Sequence, residues 1–188
     1  ENLVIFAQRC SLIPESGQAD ELHREIFVRI QDPDKGLLKS SRFMPAVEQV
    51  GYQAQMDQSV LKVLLTSLKE STKPTNYSVN LNVTPFASKQ HFKWFRSELL
   101  QLSALHRSQL AFEFPEGHLI AHLDYMRPVA KMLKGLGCKI IVGQAGRTIV
   151  STHYIKDLKV NFIKLHRSLI KKIDQRHENQ LFVRSLIG

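Results

Sequence analysis

The sequence predicts an α/β fold of the TIM (β/α) barrel type, and three observations carry that expectation. Strand and helix patterns alternate along most of the 188 residues with short connections, the rhythm of a parallel sheet whose crossovers are helices. Lys139 to Thr148, KIIVGQAGRT, is an apolar run that breaks into glycine and polar residues, as a buried strand does where it reaches a barrel mouth. Lys164 falls on the inward face near the end of a later strand, where an amine is costly to bury unless it has partners or a task.

The first strand candidate is Val4 to Ile13, closed by Pro14 and a polar turn around Gly17. His23 to Ile30, HREIFVRI, alternates well enough to pair with it as a hairpin. Asp32 to Gly36 is a loop with strong turn chemistry, since proline fixes φ and glycine tolerates positive φ. Phe43 to Val50 reads as a helix with Pro45 near its start and Gly51 as its stop. From about Met56 a second helix sets Met56, Val60, Val63, Leu64 and Leu68 on one stripe. Tyr77 to Val83, YSVNLNV, is a strand with Ser78, Asn80 and Asn82 on one face.

The next helix carries Phe92, Phe95, Leu99 and Leu102 as a core stripe, with Trp94 off it as rim packing or an exposed contact. Leu110 to Phe114 is a short strand that Pro115 closes. A helix from about Leu119 to Leu136 presents Leu119, Leu123, Met126, Ala130 and Leu133, and Gly135 and Gly137 end it before the strand at Lys139. Ser151 to Leu158 is a short helix, and Lys159 to Leu165 a strand whose Val160, Phe162 and Lys164 share a face. From Ser168 the chain is helical to Gly188. These are six strand candidates, whereas a closed barrel needs eight. One domain over residues 1–188, incomplete at its C-terminus by the last two βα units, is the expectation; a six-stranded open doubly wound sheet is the alternative.

A hydrophobic content of 43% suits a single domain with a sizeable core. No run is long enough to span a bilayer, and the amino terminus, ENLVIFAQRC, lacks the features of a secretory signal, so a cytoplasmic domain is expected. Cys10 and Cys138 belong to no metal-ligand spacing and read as buried free thiols. Net charge +9 favours acidic partners without choosing among them. The basic residues are spread, with a modest concentration at Lys164, His166, Arg167, Lys171, Lys172, Arg176 and His177. The run at the expected mouth delivers Gly143, Gln144, Ala145 and Gly146, none of them a base, nucleophile or strong metal ligand.

Along nearly all its length the chain resembles the EAL family, barrel domains that hydrolyse the bacterial messenger cyclic di-GMP. Gln8 looks like the glutamine of the opening motif, with Arg9 in place of its usual proline. Glu25 to Arg29, EIFVR, matches the stretch that names the family, Glu25 and Arg29 retained. Phe43, Pro45, Glu48, Gly51 and Asp57 match a helical segment. Ser78 to Leu81 resembles its SVNL strand and puts Asn80 on a metal-ligand position. Glu113 and Glu116 in EFPE resemble the next acidic strand, with Glu113 a ligand, and Lys164 matches the catalytic lysine. The paired aspartates that hold metals at the fifth strand are Gly143 and Gln144 here, and the aspartate two positions past the lysine is His166. Two-metal hydrolysis needs several carboxylates, so the resemblance implies a vestigial site with no catalytic residue, no metal and no cofactor.

The combination GQAGRTIVSTHYIKDLKVNFIKLHRSLI is similar to a degenerate branch of the family that serves carbon storage regulation. That similarity implies a domain of an inner-membrane-anchored parent that docks unphosphorylated glucose-specific enzyme IIA of the phosphotransferase system and promotes turnover of regulatory small RNAs by ribonuclease E. Trp94, Phe86 and Leu186 are the candidate apolar anchors, and a homodimer is a family-level expectation. Two other readings stay open. Gln8, Arg29 and Lys164 suit a cyclic di-GMP receptor that binds without cleaving, and the basic surface suits weak, salt-sensitive RNA binding. Glu25 and Glu113 are expected as structural carboxylates paired with Lys164 or Arg29, and His166 as a core residue filling the vacated metal space.

Overall fold

The structure is a computed structural model that describes residues 2–13, 17, 19–71, 73–147 and 152–187. Pro14, Thr148, Ser151 and Gly188, to which the sequence assigned turn, strand-end and helix-end roles, lie outside the described residues. β1 (Leu3–Ser11) and β2 (Glu21–Asp32) form the expected antiparallel hairpin, in a register that sets Gln8 opposite Glu25, Phe6 opposite Phe27 and Val4 opposite Arg29. Asp32 Oδ1 then accepts the Asp34 and Lys35 N–H groups at 3.0 and 2.8 Å, and Gly36 takes φ +70°. The chain turns back onto β2 as β3 (Gly36–Lys39), a strand absent from the sequence reading because four residues are too few to show alternation.

α1 (Ser40–Gln49) stops at Gly51, whose φ of +74° is left-handed. α2 (Gln53–Glu70) buries Val60, Leu61, Leu64, Leu65 and Leu68, so its core stripe takes Leu61 and Leu65 rather than the expected Val63. β4 (Tyr77–Asn80) is shorter than the expected Tyr77 to Val83. The reason is Asn82, whose backbone N and Nδ2 donate to Asp57 Oδ2 and Oδ1 at 3.0 and 2.7 Å and turn the chain toward α2. A 3-10 turn over Thr84–Ala87 leads to α3 (Lys89–Leu100), capped by Ser88. α4 (Ala104–Ser108), unforeseen, precedes β5 (Leu110–Pro115).

The single helix expected from Leu119 to Leu136 is two, α5 (Glu116–Ala121) and α6 (Leu123–Gly135). They break at His122, whose φ −134° and ψ 38° leave helical space. β6 (Lys139–Ala145) follows the Gly137 turn, and α7 (His153–Asp157) leads to β7 (Phe162–Leu165). β7 begins later than Lys159 because that residue is left-handed, φ +52°, and cannot extend the strand. The continuous helix expected from Ser168 is instead α8 (Arg167–Ile170), a 3-10 turn over Ile173–Gln175 and α9 (His177–Ile187), interrupted at left-handed Lys172.

The seven strands among the described residues form one sheet in the order β1-β2-β4-β5-β6-β7, with β3 hydrogen-bonded to β2. Six strands were expected; β3 is the addition. β2, β4, β5, β6 and β7 are parallel and staved as in a barrel. Lys164 on β7 reaches Glu25 on β2, four places along the strand order, so the sheet curls into a barrel arc rather than lying open as in a doubly wound fold. Phe95, Leu99, Phe112, Met126, Leu133 and Ile140 pack between the arc and its helices, where truncating a large apolar side chain costs about 2–5 kcal/mol. Phe86, offered as an exposed anchor, belongs to this core at 3% exposure and packs edge-on against Phe95 and Phe114. Cys138 is buried as expected, whereas Cys10 is only half-buried.

Candidate functional site

Parallel register brings Glu25, Asn80, Glu113 and Lys164 together. Glu25 sits beside Ser78 across the β2–β4 pair, Asn80 is opposite Glu113 across β4–β5, and β6 lies between β5 and β7. The Lys164 Nζ is 2.8 Å from Glu25 Oε1 and 2.8 Å from Glu113 Oε2. Asn80 Nδ2 donates to the same Glu25 Oε1 at 3.2 Å. Both glutamates are buried, so the ammonium supplies the compensation that buried carboxylates need. The expected Glu–Lys pairing is therefore present for both acids. Arg29 takes no part in it: its guanidinium donates to the Val28 carbonyl at 2.8 Å and lies over Phe6 and Phe27.

Burial pushes the Glu113 carboxyl upward, and the hydrogen bond and charge of Lys164 only partly offset that push. For Lys164 burial pulls downward, but two carboxylates outweigh it and the ammonium ends above its ordinary value. The directions agree physically, since one shared ammonium gains from two anions while each anion has half an ammonium. Cys10 lies on the inner face of β1 within electrostatic reach of Glu25, Lys164 and Glu113, and burial raises its thiol. Nothing in its sequence neighbourhood marked that placement.

Gly143 and Gln144 share the span opposite Lys164, between the Val142–Ile163 and Ala145–Leu165 pairs, as a β-bulge. Gln144 is left-handed at φ +56° and exposed. A Cβ built on Gly143 would run into Glu113 Oε1, with Glu113 Cδ and Cγ at 3.0 and 3.1 Å. The missing side chain is thus the space that the Glu113 carboxylate uses. His166 does not fill that space, which corrects the sequence expectation: its Nδ1 is 2.7 Å from the Ser168 hydroxyl and caps α8. Lys164 also leaves the presumed basic face, because it is paired inward, whereas Arg167, Lys171, Lys172, Arg176 and His177 are exposed.

Glu116 has a different task. It is buried, its Oε1 accepts from the Tyr154 hydroxyl at 2.6 Å and its Oε2 from the Gly146 N–H at 2.8 Å. Burial and this carboxylate both push the Tyr154 phenol upward. Asp57, named in sequence only as a motif position, is buried beneath the mouth, and burial pushes its carboxyl up to about 8 against the two bonds from Asn82. A cavity of about 380 Å³ opens above these groups, lined by Glu25, Asp57, Asn80, Asn82, Glu113 and Gln144.

The donor set does not fit a pair of divalent ions. Both carboxylates face the Lys164 ammonium, the Asn80 amide points its NH2 group at Glu25, and Gly143 and Gln144 bring no anionic oxygen. Hard divalent cations take several oxygen ligands, mostly carboxylate. No group of three or more His, Cys, Asp or Glu is arranged to hold a metal among the described residues. No helix among them is long and apolar enough to cross a membrane.

The RNase E specificity factor CsrD of Escherichia coli is 33% identical over 165 residues, covering 88% of this chain and 25% of that protein. The cyclic di-GMP phosphodiesterase PdeF of the same organism is 24% identical over 162 residues, covering 85% of the chain and 22% of PdeF. The chain thus spans a quarter or less of the length of these relatives. Among solved structures, the S helix-GGDEF-EAL portion of Vibrio cholerae LapD superposes with a TM-score of 0.85 at 20% identity, over 98% of this chain and 44% of that one. The Pseudomonas aeruginosa FimX EAL domain bound to cyclic di-GMP gives 0.77 at 22%, over 99% and 74%. These likenesses carry the fold. The EAL domain profile matches residues 15–188, and with that match the chain belongs to the EAL domain family.

Proposed function

We propose that the chain is a non-hydrolysing EAL regulator whose output is a protein contact. The supporting observation is the Lys164 ammonium held between Glu25 and Glu113, with glycine at 143. A lysine committed to both acids is a structural counter-ion. It leaves no set of carboxylates free to neutralise a metal pair and orient an attacking water. The similarity to the RNase E specificity factor CsrD supports a link to ribonuclease E; docking of unphosphorylated glucose-specific enzyme IIA, within an inner-membrane-anchored parent that promotes turnover of regulatory small RNAs, completes the proposal. Phosphorylation of enzyme IIA would oppose docking, because added charge must be desolvated in a packed contact.

Calorimetric titration with the two forms of enzyme IIA tests this. Saturable binding of the unphosphorylated form alone is expected; equal binding of both, or of neither, sinks the docking reading. Measurable release of linear dinucleotide from cyclic di-GMP in Mg2+ or Mn2+ would overturn the loss of hydrolysis.

A second reading, a cyclic di-GMP receptor, has one observation in its favour. The β1–β2 register puts Gln8, Phe6, Phe27 and Arg29 on one face with Glu25, and Phe6 is 45% exposed there. Aromatic rings beside a guanidinium suit a base and a phosphate. Metal-independent binding of cyclic di-GMP, weakened by Arg29→Ala, is what this reading requires.

A further inference from the structure

The end of the barrel opposite the mouth carries a second surface. β5, β6 and β7 begin there, and α3, α6 and α7 end there, so the connections over 101–109, 136–138 and 158–161 lie in one sector. Exposed leucines and unpaired lysines are concentrated in it.

Leu100 is 45% exposed and Leu105 64%. A single exposed leucine needs no explanation, but these two flank one short loop and both are held outward. Leu99 and Leu102 are packed in the core, which turns Leu100 away from it. The Ser103 hydroxyl accepts the His106 N–H at 3.1 Å and caps α4. The Arg107 guanidinium donates to the Leu102 and Leu136 carbonyls at 2.6 and 3.0 Å, which latches α4, and Leu105 with it, beside the C-terminal end of α6.

Lys134, Lys156 and Lys159 are exposed, and none has an ion pair or side-chain hydrogen bond among the described residues. Lys134 and Lys159 rim one groove floored by Ala130 and Leu158. Asp157 is the one exposed acid of the sector among the described residues, and Arg127 pairs it at 2.7 Å. Glu98 is half-buried, about 200° around α3 from Leu100. Lysines near helix C-termini complement the helix dipole, which accounts for Lys134 and Lys156.

It does not account for Lys159, which is left-handed at φ +52° in the position after a helix where glycine is usual. Its N–H bonds the Lys156 carbonyl at 3.2 Å, and the Val160 N–H bonds the Ile155 carbonyl at 3.0 Å, closing α7. Glycine would make the same turn without the strain that a Cβ brings to it. The reason for a lysine therefore lies in its ammonium, at the rim of the groove.

Leucines beside unpaired lysines select the partner. A nucleic acid strand needs rings to stack on, and no aromatic side chain of the sector is exposed. A phosphorylated protein face would be drawn to these lysines, the reverse of the preference proposed for enzyme IIA, so this surface is not the enzyme IIA face. An anionic bilayer offers phosphates to the ammonium groups and an apolar layer to short aliphatic side chains.

We propose that this end of the barrel docks on an anionic lipid surface, with Leu100 and Leu105 entering the headgroup layer and Lys134, Lys156 and Lys159 meeting lipid phosphates, so that the mouth faces away from the bilayer. The inference goes beyond the enzyme IIA reading and does not depend on it.

The test is cosedimentation of the chain with vesicles of phosphatidylcholine alone and of equal parts phosphatidylcholine and phosphatidylglycerol. Binding to the mixed vesicles only is expected, with release as salt rises from about 0.1 to about 1 M and the Debye length falls from about 10 to about 3 Å. Leu105→Asp, a surface change, should weaken binding about ten-fold. Lys159→Gly decides the matter, because the backbone and the ammonium pull in opposite directions. Relief of the left-handed strain should raise the melting temperature by about 2–4 °C, while loss of one lysine should weaken vesicle binding about five-fold. Lys35→Ala, in the β2–β3 turn at the mouth end, should leave binding unchanged. Equal binding to both vesicles, binding to neither, or a folded Lys159→Gly protein that binds as before overturns the proposal. So does Lys35→Ala weakening binding as much as Lys159→Gly does. Displacement from the vesicles by a short single-stranded RNA, lost in Lys159→Gly, would assign the face to nucleic acid and overturn it too.

Discussion

Glu113 in β5 and Glu116 at the start of α5 stand three residues apart, and both are buried, yet they are satisfied in opposite ways. Glu113 faces an ammonium that it shares with Glu25, on a side chain long enough to move. Glu116 faces a phenol and a backbone N–H, neutral donors fixed by Tyr154 and by the loop at Gly146. The difference teaches which carboxylate belongs to the scaffold. A clasp of neutral donors has one geometry and fails outright, whereas a charge cluster responds to pH and can redistribute its proton.

The largest expected effect comes from breaking the clasp. Glu116→Ala should cost about 3–5 kcal/mol, two charge-assisted hydrogen bonds at once, read by urea denaturation, and a loss below 1 kcal/mol would show that the clasp is decorative. Lys164→Met should cost less, about 2–3 kcal/mol at pH 8, because the side chain is 36% exposed and water screens part of the deficit. Carboxyls whose native pKa is raised contribute stability below their unfolded value and lose it as pH rises through the native one, so this deficit should shrink toward pH 5. A deficit that is flat with pH would mean the cluster is not electrostatic.

Asp57 extends the comparison to a third buried acid. With a native value of about 8 against an ordinary 3.8, its contribution is complete below pH 4 and lost as pH rises toward 8. Asp57→Asn should therefore flatten the fall in stability between pH 6 and 8, a slope of up to about 1.4 kcal/mol per pH unit. Parallel curves for the two proteins would place the proton elsewhere. The smallest effect is Gly143→Ala, about 1 kcal/mol, because the obstructing atom is the end of a flexible side chain. That cost should vanish in a Glu113→Ala background; simple additivity would mean the two positions do not compete.

The parts of this arrangement written in local pattern were readable before the structure. Alternation located β2, β5 and the inward Lys164, and turn residues bounded α1 and β6. Pairings between distant residues were not. Glu116 and Tyr154 are 38 positions apart, and in sequence Glu116 reads only as the second acid of the EFPE motif. His166 looked like a filler of empty space because sequence shows which side chain vanished but not which neighbour moved in. His91 falls one residue before a core stripe, and its unpaired nitrogens emerge only once Phe86 and Trp94 are placed around it. Asn82 carried the strand pattern past its true end, since alternation persists where the backbone has already turned toward Asp57.

The glycine at 143 also bears on which substitutions the mouth accepts. While Glu113 occupies the space beside it, any side chain introduced there meets an occupied position, so a single substitution is penalised until its neighbour withdraws. The bulge at Gly143 and Gln144 adds a second barrier, because it sets where both residues aim. Positions 113 and 143 therefore share one volume, and a side chain enters at 143 most cheaply when Glu113 changes with it.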